Sequence, residues 1–532
     1  MKNTKKCISL TLAAVLLLTG CGGGTSNNNS SDTSAANSSS DTSAASTGDK
    51  KVLTFGCQMY TDGIVNTVTD ENGGWNAMRY GITEGLFKFN DSMEVEPWLA
   101  ESYTVNDEHT EWVITLKDGI KFSDGCDLTP TKVKEYFEYL KEMGPSGSAK
   151  PQKYLEFEAT VTADDEANTL TIQTTQPYAN LPGQLAHPTM GIVDVADTEN
   201  FDNGTIGTGP YMIDTFNGVG VGYDLVANPN YREEVPYDEV KLMYMGDASA
   251  KTMALQSGQV DLVENITNVS DIQDFKDNPD FTVDIASGVR CGFSWMNFDG
   301  VLGNKTLRQA ILMAIDYDTI CHSKTIGDLY TPGFSVLPST LNYGYDKLNN
   351  PYTYDPEGAK KLLDDAGIVD TDGDGIREYN GKNLSYKAEC PTGWSDWNAT
   401  LEIVAAAGKN IGINIETYFP EAANYSTDYS TGNFEITMQS GPGTSVANPY
   451  MRCRFFMSSD YNDLEVNFSG NFGHYQNDRV DEILAAIPHE TDDAKLKDYY
   501  TELSKIMLED CPCVPLMYRP QVFHEVNESV WT

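Results

Sequence analysis

The sequence has little positive charge. Its 532 residues include 36 Lys and Arg against 78 Asp and Glu, which gives a formal net charge of −42. A nucleic-acid-binding protein needs a basic surface that neutralises phosphates, and no run of Lys or Arg provides one here. The same deficit excludes docking by charge to an anionic membrane surface. We therefore expect no nucleic acid among the partners.

Sequence signals for catalysis and metal binding are also scarce. The six histidines include no His-Glu-x-x-His pair, and the chain has no Gly-x-Ser-x-Gly motif. The ten cysteines are scattered, and only Cys511 and Cys513 lie close together in the part that follows the N-terminal segment. Their density is too low for a disulfide scaffold, so most are expected to be buried small apolar residues. The sequence predicts no cofactor, no metal and no enzyme, with a secreted hydrolase as the less favoured alternative.

A short apolar run opens the chain. Three lysines precede the run Ile8–Leu18, a pattern typical of a secretory signal peptide. The run is shorter than the roughly 20 apolar residues that a membrane-spanning helix needs. Leu18–Cys21 reads Leu-Thr-Gly-Cys and resembles the lipobox of bacterial lipoproteins, in which the Cys sulfur carries the lipid. We expect a signal peptide over residues 1–20 and lipidation at Cys21.

Residues 21–50 form a low-complexity segment. Gly22–Asp49 contains only Gly, Ser, Asn, Thr, Ala and Asp. A segment without large apolar side chains cannot offset the entropy lost on ordering, so it is expected to be a flexible tether with a reach of about 30 Å. Lipid and tether together predict a protein anchored on the extracytoplasmic side of the cell membrane.

Strand and helix patterns alternate along the rest of the chain and predict a mixed α/β fold. The β-branched and aromatic residues of Glu111–Leu116 predict a strand, and Lys121–Gly125 predicts the end of another. Proline suits the first helical position, so helices are expected to begin at Pro130 and Pro356. Apolar residues at helical spacing predict helices around Val133–Leu140, Leu307–Ile315, Ala359–Ala366 and Val480–Ile487.

Asp370–Gly375 reads Asp-Thr-Asp-Gly-Asp-Gly and looks like part of a calcium loop, because alternate carboxylates can converge on one cation. The twelfth position, where a bidentate Glu is expected, is Gly381. An Asp/Gly turn before a strand near Leu384 is therefore the favoured interpretation.

Several short blocks of sequence carry a family resemblance. They are Gly85–Phe87, Glu96–Tyr103, Leu116–Gly125, Gly207–Tyr211, Asn228–Tyr231, Ser257–Asp261, Leu307–Ala310, Ala314–Asp316, Tyr354–Pro356 and Asp510–Leu516. In this order they resemble the family 5 extracellular solute-binding proteins, the oligopeptide-binding group of ABC importers. The resemblance spans residues 52 to about 520.

The resemblance implies a two-lobed, periplasmic-binding-protein-like α/β fold of the class with an extra inserted domain and a hinge between the lobes. Domain I would be discontinuous, over residues 51–75, 206–295 and 477–532. Domain II would span residues 76–205, and domain III, the second lobe, residues 296–476.

The resemblance also implies a function. The chain would be a monomeric receptor that captures short oligopeptides between its lobes and delivers them to an ABC permease and ATPase complex. The same receptor role for β-linked oligosaccharides is the alternative. In family members the chain commonly extends further past the last block than it does here, where it ends at Thr532. A shortened C-terminus is therefore one of the alternatives.

Trp394, Asp396 and Trp397 form the main candidate ligand-binding segment. Two tryptophans three residues apart, with an acid between them and Gly and Pro beside them, suit a loop that presents flat rings to a ligand. Such rings stack on a sugar face or on a peptide side chain. Packing of one or both rings in the core is the open alternative.

Further candidates follow from the resemblance. Trp295 and Asn297 would lie where the chain crosses between the lobes, with a buried strand as the alternative. Tyr60 and Trp75 are weaker candidates for ligand contact.

The stretch Ser440–Pro449 would lie in the second lobe. Many peptide-binding relatives place an acid in the comparable stretch, where it pairs with the peptide's amino group, but no acid occurs here. Gly441 and Thr444 are the candidate ligand contacts in this stretch. Gly-Trp-Ser-Asp-Trp at residues 393–397 resembles members that bind β-linked oligosaccharides, and peptides remain the first expectation by a small margin.

Overall fold

The computed structural model describes residues 50–57, 71–90, 94–143, 159–200, 205–218, 220–266, 268–286, 290–322, 352–441, 449–467, 470–519 and 522–530. The predictions for the signal peptide, Cys21, the tether, Tyr60 and Thr444 lie outside these residues. Within them, no helix combines the length and the apolar character that crossing a membrane requires.

Strands and helices alternate along the described chain. The strands are β1 Val52–Cys57, β2 Phe87–Phe89, β3 Val95–Pro97, β4 Ala100–Val105, β5 Glu111–Leu116, β6 Ala159–Asp164, β7 Thr169–Thr174, β8 Tyr211–Gly218, β9 Gly222–Ala227, β10 Glu239–Tyr244, β11 Leu262–Glu264, β12 Phe281–Ala286, β13 Arg290–Met296, β14 Glu378–Tyr379, β15 Lys382–Asn383, β16 Ser385–Glu389, β17 Asn414–Tyr418, β18 Ile436–Ser440, β19 Cys513–Arg519 and β20 Val522–Asn527. The helices are α1 Glu71–Arg79, α2 Pro130–Met143, α3 Leu181–Leu185, α4 Ala248–Gln256, α5 Val269–Asp277, α6 Lys305–Ala314, α7 Tyr317–His322, α8 Pro356–Asp365, α9 Ser395–Asn410, α10 Ala422–Ser430, α11 Pro449–Met457, α12 Asp478–Ala486 and α13 Asp493–Asp510.

The local signals account for most of these elements. The predicted strand Glu111–Leu116 is β5, and Pro130 and Pro356 are the first residues of α2 and α8. Asp355 caps α8 by accepting the backbone N–H of Gly358 at 2.8 Å.

The predicted strand at Lys121–Gly125 is wrong. Only an isolated bridge joins Lys121 to Asp127. The carboxylate of Asp124 accepts the backbone N–H of Cys126 at 2.9 Å, which turns the chain before a ladder can extend.

Three larger sheets organise the fold. The first sheet has the order β12-β20-β11-β1-β10-β9-β8, and the second has the order β17-β16-β18-β13-β19. The third sheet, β4-β5-β7-β6, is antiparallel. The predicted mixed α/β class is confirmed, whereas the division into three domains stays a prediction.

The chain passes twice between the first and second sheets. β12 belongs to the first sheet and β13 to the second, and the chain returns from β19 in the second sheet to β20 in the first. Each main sheet contains a group of three parallel strands: β1 pairs with β10 and β11, and β16 pairs with β17 and β18. Such strands end at a common edge, and that edge is where open α/β sheets commonly bind ligands.

Apolar side chains hold each layer. The stripe of α2 is buried in one cluster with Trp112 and Ile114 of the third sheet. The cysteines whose side chains the structure describes are mostly buried, in keeping with their expected role as small apolar residues: Cys57, Cys321, Cys390, Cys453, Cys511 and Cys513 are buried, and Cys126 is exposed.

Candidate functional site

The carboxyl ends of the parallel strands in the two main sheets meet at one point. Gly393 follows β16 and Asp247 follows β10. A Cβ atom built on Gly393 would lie 2.9 Å from Oδ2 of Asp247, and Gly393 has a φ of +78°. A larger residue at this position is therefore disfavoured both by the contact with Asp247 and by the backbone conformation. We call the region bounded by Tyr244–Asp247 and Glu389–Trp394 the cleft. Tyr244–Asp247 form one wall of the cleft, and an open cavity of about 600 Å³ lies against them, beside α4.

Trp394 stands at the cleft, at the N-terminal end of α9. Its ring packs edge-to-face on Trp397 with a centroid distance of 4.8 Å and on Tyr425 at 6.3 Å. Trp394 is only partly buried, whereas Trp397 is 4% exposed and belongs to the core of the second sheet. Of the two predicted rings, Trp394 is the one with surface left for a solute.

Asp396 is turned inward. Its side chain is buried, and its carboxylate accepts a hydrogen bond from Nε of Arg519 at 2.9 Å. This ion pair joins the first turn of α9 to the end of β19. A role of Asp396 in direct solute contact stays a prediction, since in this structure the carboxylate is occupied by Arg519.

Trp295 and Asn297 are engaged within the fold. Trp295 is fully buried and stacks on Phe456 at a centroid distance of 5.7 Å. The side-chain amide of Asn297 donates to the carbonyls of Gly432 and Phe434 at 2.8 and 2.9 Å. These contacts tie β13 to the chain that precedes β18, and ligand contact by either residue stays a prediction.

Trp75 and Gly441 lie in different settings. Trp75, on α1, is partly buried and packs edge-to-face on His187 at 5.6 Å. Burial lowers the pKa of His187 to about 3, so this partner is neutral. Gly441 is buried directly after β18, at the same edge of the second sheet as Glu389.

Sequence reasoning missed Glu389, the last residue of β16. Its side chain is 1% exposed, and within the described residues neither carboxylate oxygen has a hydrogen-bond partner. Burial raises the pKa of Glu389 to about 7, the charge of Asp428 adds to the rise, and Lys387 opposes it. The sequence signal was an acid at the end of a strand, directly before the segment that leads to Trp394.

The Asp-rich segment forms a turn. The carboxylate of Asp370 accepts the backbone N–H groups of Gly373 and Gly375. The exposed carboxylates of Asp370, Asp372 and Asp374 lie within 4.8 Å of one another. Glu378, at the ninth position, accepts bonds from Thr371 instead of facing them.

The chain matches one family model and many known proteins. The model for bacterial extracellular solute-binding proteins, family 5, matches residues 94–463. The probable D,D-dipeptide-binding periplasmic protein DdpA of Escherichia coli (strain K12) is 24% identical over 471 residues, which cover 85% of each chain. The nickel-binding protein NikA of Staphylococcus aureus is 26% identical over 449 residues and 84% of each chain.

A solved structure shows the same fold. The periplasmic oligopeptide-binding protein of an oligopeptide ABC transporter from Thermotoga maritima, crystallised with mannohexaose, has a TM-score of 0.78 and 25% sequence identity. The match covers 92% of this chain and 94% of that one. Relatives of one fold thus carry names that refer to a dipeptide, a metal ion and a sugar oligomer.

Proposed function

Since the chain belongs to family 5 of the bacterial extracellular solute-binding proteins, we propose that it captures short oligopeptides in the cleft and delivers them to the permease and ATPase of an ABC importer. The observation that carries this proposal is the meeting of the two sheet edges at Gly393 and Asp247, with Trp394 beside it. A ligand held there contacts both sheets at once.

The proposed mechanism is closure of the two lobes about the chain crossings between β12 and β13 and between β19 and β20. A solute that contacts both sheets only in the closed form shifts the population toward that form. Peptides suit this site because their backbone offers hydrogen-bonding groups whatever the side chains are. A monomer is sufficient, since both walls of the cleft come from one chain.

The same role for β-linked oligosaccharides is the second candidate. The mannohexaose complex of the Thermotoga maritima protein and the partial exposure of Trp394 favour it. Sugars would be held by stacking on the ring and by bonds from their hydroxyl groups to carboxylates.

A thermal-shift screen separates these candidates. The purified protein is heated with pools of tripeptides or with cello-, xylo- and manno-oligosaccharides. A true solute at 100 times its Kd stabilises the protein by about 2.7 kcal/mol. A shift with sugars alone would contradict the peptide assignment, and turnover of any peptide or glycoside would favour a hydrolase.

We also propose that Cys21 is lipidated and that residues 21–50 tether the receptor outside the cell membrane. The lipobox-like sequence and the low-complexity segment support this. Cys21→Ala is expected to move the protein from the membrane fraction to the soluble extracytoplasmic fraction, as detected by immunoblotting. Retention of the variant in the membrane fraction would argue against the lipid anchor.

A further inference from the structure

The carboxyl edge of the second sheet gathers polar side chains on one face. In the ladder Glu389 pairs with Tyr418 of β17 and with Thr437 of β18. Paired residues of neighbouring strands share a face and lie about 4.8 Å apart across the sheet. Gln439, two residues after Thr437, extends the same face past the end of β16.

The carboxylate of Glu389 and the amide nitrogen of the partly buried Gln439 are left without hydrogen bonds. Within the described residues, neither oxygen of Glu389 nor Nε2 of Gln439 has a partner, whereas the hydroxyl of Thr437 bonds to Tyr425. A buried polar group left unsatisfied costs about 1–3 kcal/mol, and native proteins rarely leave several together. Within the described residues, this cluster therefore offers carboxylate acceptors and an amide donor that a bound solute can use.

Four other buried carboxylates of the described chain are each matched by a cation. The pairs are Glu84 with Arg232 at 2.7 Å, Asp194 with Lys132 at 2.9 Å, Glu264 with Arg79 at 3.1 Å and Asp396 with Arg519 at 2.9 Å. Glu525 has at least a backbone N–H donor, that of Ile266 at 3.5 Å. Among the described residues, Glu389 is the buried acid whose two carboxylate oxygens both lack a hydrogen-bond partner.

The surroundings of Glu389 suit a cation. Tyr425 and Tyr429 of α10 pack together at a centroid distance of 5.2 Å, and Tyr425 also contacts Trp394. Aromatic faces attract cations, and the charge of Asp428 adds to the negative potential at Glu389. The ammonium of Lys387 lies over the ring of Tyr418 at 4.4 Å and makes no ion pair with Glu389 in the structure.

We propose that Glu389 is a specificity-determining residue of the cleft and that, together with Gln439, it receives a protonated amino group of the solute. This rests on the proposed function and narrows its solute class to peptides with a free amine. The ammonium supplies donors to both carboxylate oxygens, and Gln439 Nε2 donates to the neighbouring carbonyl of the peptide.

The proposal predicts a pH dependence. Burial raises the pKa of Glu389 to about 7, whereas the other titratable groups beside it, Tyr425 and Cys390, have pKa values raised by burial and stay neutral. Only ionised Glu389 pairs with an ammonium, so affinity rises as pH rises toward and past 7.

The test uses isothermal titration of the full protein with a tripeptide pool that has free amino ends and with the same pool N-acetylated. Between pH 6 and pH 7.5, where the peptide amine stays largely protonated, the affinity of the free-amine pool is expected to rise about fivefold or more. Glu389→Gln should weaken it about tenfold and remove the pH dependence. Gln439→Leu should weaken it while the pH dependence persists, and Glu525→Gln, at a buried acid of β20 in the first sheet, should change neither.

Two results would overturn the inference in different ways. Equal affinity for free and acetylated pools, unchanged by Glu389→Gln, would remove Glu389 from recognition and leave the peptide receptor standing. Binding of neutral oligosaccharides alone would overturn the peptide assignment and the amine site with it. A normal unfolding curve for Glu389→Gln, whose side chain has nearly the same shape, excludes misfolding as the cause of lost binding.

Discussion

Two buried carboxylates on either side of the Trp394 segment have opposite environments. Glu389 and Asp396 are each 1% exposed. Arg519 holds Asp396 at 2.9 Å, whereas Glu389 has no hydrogen-bond partner within the described residues. A buried charge that the fold itself matches belongs to the scaffold. A buried charge that it leaves unmatched destabilises the empty protein and is free to bind something from outside.

The largest expected effect comes from breaking the matched side of this comparison. Arg519→Met leaves the carboxylate of Asp396 buried without its cation, and loss of one partner of a buried pair typically costs about 3–5 kcal/mol. Urea unfolding of the ligand-free protein measures the loss. Adding Asp396→Asn should recover part of it, because the pair is then replaced by neutral groups. A loss below about 1 kcal/mol would mean that the pair is not a structural element.

The second prediction is a variant with increased stability, whereas the first is a variant with decreased stability. The pKa of Glu389 is about 7 in the folded protein, above its ordinary value of 4.5, so the folded state binds more protons between these values. Wild-type stability should therefore fall as pH rises from about 4.5 to 7, by up to about 3 kcal/mol. Glu389→Gln lacks this loss and should be the more stable protein at pH 8.

Urea unfolding at pH 5 and pH 8 checks this prediction. Glu525→Gln is the matched control. Burial raises the pKa of Glu525 to about 8, so the stability that the wild-type protein loses through ionisation of Glu525 should be lost over a range that extends to higher pH. If Glu389→Gln were less stable than wild type at pH 8, Glu389 would have a partner in solution, and the contrast with Asp396 would disappear.

The third prediction concerns the ring between the two acids. Trp394→Ala removes a partly buried side chain, so stability should change by about 1 kcal/mol, far less than the 3–5 kcal/mol typical of fully buried tryptophans. Affinity for the captured solute should fall about tenfold, or about 1.4 kcal/mol. Trp98→Ala, a partly buried tryptophan outside the cleft, is the control and should leave the affinity unchanged. An intact affinity in Trp394→Ala would remove the ring from the site.

Local patterns predicted much of the fold. The strand Glu111–Leu116 and the helices that begin at Pro130 and Pro356 follow from β-propensity, capping and apolar spacing, all of which act over a few residues. The false strand at Lys121–Gly125 shows the limit, because the chain forms a turn there, with Asp124 accepting the backbone N–H of Cys126 and Gly125 at a positive φ.

The environments of the site residues could not be predicted in the same way. Asp396 and Arg519 are separated by 123 residues, and no local pattern announces that they pair. Trp394 and Trp397 look equivalent in the sequence, but Trp397 is buried in the core, whereas Trp394 packs against that core and stays partly exposed. Glu389 became notable only when the structure showed that none of the described residues bonds to its carboxylate.

The smallest expected effects test the charges around Glu389 in a pair of variants with opposite signs. Asp428 raises the pKa of Glu389 and Lys387 lowers it. Asp428→Asn should therefore lower that pKa and stabilise the protein at pH 8 by about 0.5 kcal/mol, whereas Lys387→Met should raise the pKa and destabilise it by a similar amount. Asn at position 428 still accepts the bond from Asn433. Unfolding free energies across pH 5 to 8 measure both variants. A change in stability of the same sign in both variants would show that the two residues act through their own contacts. Opposite changes in stability that vanish in the Glu389→Gln background would identify Glu389 as the group that responds.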